Sequence, residues 1–203
     1  MAGQGLKGHR MNNMKIICLV MISWMLLWLG CTSAIRLDKN VSDEMAVNFE
    51  RHAFHQKFKL VCSPGLSSYV YNGYPKGLTG SEIKTSINVG ETFCALLDQT
   101  AGMLQTEAVE SPKIILNLER INFAYSYEGN SILTDKGRDL DAAYILIRLN
   151  AVSGAWSREY TFLSEKERFD ETGDGNSKKY AIVNSALEEI IYQLYKKVYR
   201  DFP

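Results

Sequence analysis

Few side chains in this sequence are spaced for chemistry. The three histidines, His9, His52 and His55, have no nucleophile elbow beside them: no G-x-S-x-G turn occurs, and no Walker loop or G-x-G-x-x-G follows a strand. A zinc site needs three or four well-spaced Cys, His or carboxylate ligands, more than these scattered histidines and the cysteines offer. Asp170-Glu-Thr-Gly-Asp-Gly-Asn176 comes nearer to a metal loop. Asp170, Thr172 and Asp174 fit the early oxygen positions of a calcium loop, with Gly175 at the sixth, but the twelfth falls on Ala181, which has no carboxylate. A solvated glycine-rich turn is the better reading. Glu119, Glu128 and Asp139 sit along strands or turns as ordinary surface charge. Arg120 and Arg148, in adjacent strands, are expected to pair with Glu119 or Glu159 on a solvated sheet face. The expectation is a protein with no catalytic residue, no metal and no cofactor. Three tyrosines remain on a long loop, Tyr69, Tyr71 and Tyr74. They form either a contact surface for a partner, tyrosine being enriched at interfaces, or a cover folded back over the core.

The stretch Lys15 to Cys31, KIICLVMISWMLLWLGC, has another character. A lysine opens it, about fourteen mostly apolar residues follow, and Gly30 stands just before Cys31. This is the order of a secretory signal peptide, and the apolar run is shorter than the ~20 residues of a spanning helix. Leu29-Gly30-Cys31 resembles the lipobox of bacterial lipoproteins, with Trp28 where that family favours leucine. The resemblance implies that Cys31 takes diacylglycerol and palmitate and becomes the first residue of the mature protein. The alternative is an uncleaved N-terminal anchor helix with an incidental Cys31. On either reading the chain is exported and held at a membrane. Residues 1–30 are then the signal peptide, with Met1, Met11 and Met14 as candidate starts, and the polar residues 31–52 a tether. Residues 53–203 make a single domain. With Cys18 in the signal and Cys31 lipidated, Cys62 and Cys94 remain as a pair in an oxidising compartment. A bridge closing their loop of about thirty residues contributes ~3 kcal/mol; the alternative is two separate buried thiols.

The elements that position these residues can be read from their periods. FHQKFKLVC, ending at Cys62, alternates as a first strand, and Ser63-Pro64-Gly65 stops it. A glycine-rich loop follows over residues 65–90, and a loop that long in a compact domain is usually functional or mobile. Phe93, Leu96, Leu97, Thr100, Ala101 and Leu104 make the apolar stripe of a helix over 91–108. Lys113 to Tyr127 is a long strand whose apolar parity changes midway, from Ile114, Leu116 and Leu118 to Ile121, Phe123, Tyr125 and Tyr127. A bulge near Glu119-Arg120 would return both sets to one face. Asp141–Val152 and Trp156–Leu163 complete a meander through the tight turn at Ser153-Gly154. Residues 179–200 form the closing helix, with Val183, Leu187, Ile190, Ile191, Leu194 and Val198 buried and Asn184, Glu188, Glu189 and Lys196 outside. The order is β-α-β-β-β-α. It predicts an α+β two-layer sandwich, a four-stranded largely antiparallel sheet with two helices on one face.

Lys plus Arg equals Asp plus Glu, 23 each, so no net field draws nucleic acid or anionic lipid. The elements ETFCALLDQTAGML, IILNLERINFAYSY, AAYILIRLNAV and YAIVNSALEEIIYQLYKKVY, placed behind a lipobox, resemble small outer-membrane lipoproteins of Gram-negative bacteria. The nearest in order are the lipopolysaccharide-assembly lipoprotein family and YajG-type lipoproteins. The resemblance implies a non-catalytic accessory that docks onto or helps assemble a larger envelope complex, a peptidoglycan-synthase activator being one variant. Thr32 is not the aspartate that retains such proteins in the inner membrane, which implies the periplasmic face of the outer membrane. A second hypothesis is a periplasmic carrier of an apolar or lipid ligand held between helices and sheet. The aromatic face of Trp156, Tyr160 and Phe162 would line such a cavity, or simply fill it.

Overall fold

Three runs of alternating residues dominate the structure, a computed structural model that describes residues 33–52, 58–73, 76–77, 84–104, 111–128, 139–170 and 180–203. They form β6 (Lys113–Glu128), β7 (Asp139–Ser153) and β8 (Trp156–Asp170). Each pairs with the next in antiparallel register along nearly its whole length. The register of β6 shifts between Leu118 and Arg120. Glu119 is the inserted residue, so Ile114 and Leu116 before it and Tyr125 after it all point to the buried face. The β7–β8 turn uses Gly154 at φ +58, a left-handed conformation that glycine adopts without a Cβ penalty.

The buried face is covered by α4 (Ala181–Asp201), whose Val183, Leu187, Ile190, Ile191, Leu194 and Val198 are all fully buried. Apolar residues at three- and four-residue steps turn one stripe of this helix to the sheet. Beside it packs α3 (Val89–Met103), through Phe93, Leu96 and Leu97.

The sheet itself differs from the single four-stranded, largely antiparallel one expected. The strand β2 (Lys59–Cys62) joins β6 in parallel, Leu60 opposite Ile114. The chain reaches β6 from β2 by way of α3, and such a crossover returns the chain in the parallel direction. The two-residue β4 (Lys76–Gly77) also runs parallel to β6, at Ser126–Tyr127. A second, three-stranded sheet has the order β1-β5-β3, from Ser33–Ile35, Thr85–Ile87 and Tyr71–Gly73. Three-residue strands carry too little period to be read from sequence. The fold class is α+β, with two sheets, parallel and antiparallel pairs, and two helices that were not anticipated: α1 (Asp43–His52) and the single-turn α2 (Pro64–Ser67).

The tether expected over residues 31–52 is likewise structured from Ser33 onward. It holds β1 and α1, and the compact unit begins at Ser33. Among its described side chains the helix α1 buries Met45 and Phe49, one turn apart. Phe49 meets Tyr192 and Tyr195 edge-on at 5.6 and 5.4 Å. Two apolar anchors on a polar helix make a weak sequence signal, but those two are enough to dock it. No helix among the described residues is long and apolar enough to cross a membrane.

Candidate functional site

The side of α4 expected to face water is where residues 36–44 dock. Asn184 donates through Nδ2 to the Asp38 carbonyl at 2.7 Å. Glu188, only 8% exposed, accepts from the Ser42 backbone N–H at 2.7 Å and from Ser42 Oγ at 2.6 Å. Ser42 Oγ in turn accepts from the Met45 N–H at 3.2 Å, so it caps α1. From α3, Gln99 donates to the Lys39 carbonyl at 2.7 Å and accepts from the Val41 N–H at 3.0 Å. Lys39 also pairs with Glu91, and its hydrogen bond is the main cause that lowers the Glu91 pKa. The segment is a strap pinned by two helices. None of Gln99, Asn184 and Glu188 stood out in the sequence, because amide and carboxylate side chains on a helix face read as solvated until the segment that covers them is known.

Cys62 and Cys94 are bridged, their Cα atoms 6.0 Å apart, which ties β2 to α3. Above this bridge Gly90 donates its N–H to the Tyr69 carbonyl at 3.0 Å. The approach is so close that a Cβ at Gly90 would collide with the Leu66 carbonyl. Tyr69 is half-buried, and burial, then the neighbouring Tyr71, pushes its hydroxyl pKa up. Tyr71 lies against Phe123, ring centres 4.6 Å apart. These two tyrosines therefore lean on the domain rather than standing free of it. Tyr74, Cys31, His9, His55 and residues 171–179 of the candidate calcium loop lie outside the described residues.

Tyr160 and Phe162 are packed into the core, 5% and 1% exposed, and Trp156 meets Phe202 edge-on at 5.1 Å. The aromatic face fills space rather than lining it. Burial, then the Asp201 carboxylate, pushes the Tyr160 hydroxyl up to about 12. Toward the other end of the three strands a cleft of ≈ 490 Å³ remains, lined by Tyr71, Tyr125, Ala143 and Lys166 among others. Lys166 pairs with Glu189 at 2.8 Å, and Ser164 Oγ donates to the same carboxylate at 2.8 Å. Burial works to raise the Glu189 pKa, but the hydrogen bonds from Lys166, Ser164 and Gln193 outweigh it and the net shift is downward.

The opposite face of the large sheet is covered by no described element. Ile115 and Leu163 are 46% and 45% exposed there, with Leu146, Val152 and Tyr144 half-exposed between them. Arg120 lies directly opposite Arg148. The expected ion pairs with Glu119 or Glu159 do not form: Arg120 reaches only Asn122 Oδ1, at 3.3 Å, and the ion pairs among the described residues are elsewhere. The bulge moves Glu119 out of register with β7 and leaves arginine facing arginine, while Glu159 stands opposite Asn150 rather than Arg148.

No family model matches this chain, and no curated protein matches it. Among solved structures, it is similar to an uncharacterized protein at 11% identity, with a TM-score of 0.35, over 85% of this chain and 100% of the other. It is also similar to a minor lipoprotein from Acinetobacter baumannii at 10% identity, with a TM-score of 0.34, over 71% of this chain and 94% of that one.

Proposed function

We propose that this chain is a lipoprotein anchored through Cys31 to the periplasmic face of the outer membrane, where it serves as a non-catalytic accessory of an envelope complex. The signal-like run up to Leu29-Gly30-Cys31 supports the anchor, and Thr32 supports the outer membrane. The observation that carries the reading is the strap. Only Thr32 separates Cys31 from β1, and at ~3.5 Å per residue the lipid would hold the domain directly against the bilayer. A domain so placed is a fixed platform for a neighbour. The outer edge of β8 is unpaired among the described residues, and strand addition to such an edge is an established way for a partner to dock. Intact mass of the membrane-extracted protein, expressed with its own signal, tests the anchor. A chain starting at Cys31 with added acyl mass is expected, and an unprocessed chain without lipid removes the reading. Crosslinking in the intact envelope should then trap a protein partner along β8.

The ≈ 490 Å³ cleft by Tyr71 and Tyr125 favours one second reading, a carrier of an apolar ligand, since it lies within the size range of ligand sites. Saturable binding of a fluorescent lipid, abolished by Ala143→Trp, would support the carrier. No binding would leave the accessory.

A further inference from the structure

We infer that the uncovered face of the large sheet is a self-association surface, and that its occupant is a second copy of this chain. The inference goes beyond the anchoring and accessory roles and does not depend on the lipid. Its first support is charge. On this face Lys113, Arg120 and Arg148 stand on β6 and β7, while Glu159, Glu165 and Glu167 stand on the edge strand β8; all six are exposed. Like charges directly opposite one another are unfavourable, yet Arg120 faces Arg148 with no carboxylate among the described residues paired to either. The missing anions are on the same face, two strands or one strand away, and a second copy can bring them over.

Symmetry decides how. In a two-fold pair each patch meets the patch that complements it on the other copy. A two-fold axis running along the strands lays β8 of one copy across β6 or β7 of the other, so that glutamates meet arginines twice. An axis across the strands would stack β8 on β8 and set glutamate on glutamate. Edge-to-edge pairing through β8 is opposed in the same way. Centred on Phe162 it puts Glu159 opposite Glu165, and centred on Leu163 it puts Glu159 opposite Glu167. Inter-sheet stacking is what remains, at the ~10 Å spacing of packed sheets.

The apolar content and the size agree. Ile115, Leu146, Val152 and Leu163 form rows across the strands, Ile115 opposite Val152 and Leu146 opposite Leu163. Three strands ~4.8 Å apart and about twelve residues long present roughly 600 Å², three quarters of the ~800 Å² per partner of a standard specific interface.

Sedimentation of the full-length protein in density-matched detergent, over a concentration series, tests this. A monomer–dimer equilibrium is expected, weakened by added salt. R148E should raise its dissociation constant about tenfold or more, E159R alone should do the same, and the R148E/E159R pair should recover most of the loss. R120Q, at an exposed position bonded only to Asn122, is the second variant should R148E fail to fold. A monomer at every concentration overturns the inference. So does a dimer whose dissociation constant is unmoved by R148E and R120Q.

Discussion

Glu188 sits with both carboxylate oxygens committed to Ser42, and through Ser42 to the first turn of α1. Replacing it with alanine removes the acceptor of a backbone N–H and a hydroxyl, but Ser42 is itself exposed and water can take the carboxylate's place, so the loss is about 1 kcal/mol. Glu188→Ala should lower stability by that amount in urea unfolding and speed hydrogen exchange at Ser42 and Met45. Unchanged exchange there would mean the strap is held by other contacts. Tyr160 gives a different signature. Its pKa stands at about 12 against an ordinary 10.0, through burial first and Asp201 second. Below pH 10 the phenol is neutral in both states and its contribution is complete. Above that the unfolded chain releases the proton first, so stability falls as pH rises toward 12. Tyr160→Phe should flatten that alkaline fall, measured as urea midpoints below pH 10 and near pH 12; an identical fall in both proteins would contradict it. The two residues also differ in how legible they were. Tyr160 shares a period-2 face with Trp156 and Phe162, which marks it as inward-facing. Glu188 lies beside the apolar stripe of α4, where sequence alone assigns a carboxylate to water, and only the covering strap reverses that.

The same contrast holds for elements. The break in β6 was readable, because Leu118 and Ile121 have opposite parity and only a one-residue insertion reconciles them with a single buried face. Deleting Glu119 should therefore turn Ile121, Phe123 and Tyr125 outward and yield insoluble or molten protein, whereas Glu119→Ala, which keeps the insertion, should fold. A soluble, cooperatively unfolding deletion variant would show that the bulge is dispensable. The parallel partnership of β2 was not readable, since four residues in register with Lys113–Leu116 carry no mark of strand direction. Direction follows from the path through α3, a property of the connection rather than of either strand. The Cys62–Cys94 bridge locks this arrangement. Its removal in a Cys62→Ala/Cys94→Ala variant should cost about 3 kcal/mol, a fall in Tm of roughly 6–12 °C for a domain of this size. A Tm unchanged within error would mean that packing of β2 against β6 alone fixes the crossover.

At the scale of the whole molecule, the strap changes what a lipid at Cys31 would do. A flexible tether of about twenty residues lets a domain range tens of ångströms from its anchor. Here residues 36–44 are fastened to α3 and α4 by Gln99, Asn184 and Glu188, and the free length shrinks to the residues before Ser33. Proteases cut exposed, unfastened backbone, so the consequence can be tested directly. Trypsin added to membranes carrying the full chain has Arg36 and Lys39 within the strap. These bonds should resist cleavage under conditions that cut a flexible linker, leaving the domain in the membrane fraction. In the Glu188→Ala protein the strap loosens at Ser42, and cleavage at Arg36 or Lys39 should shed a fragment beginning at Leu37 or Asn40 into the supernatant. Rapid release from the unmodified protein would show instead that the strap opens freely, and the proposed fixed platform would fall with it.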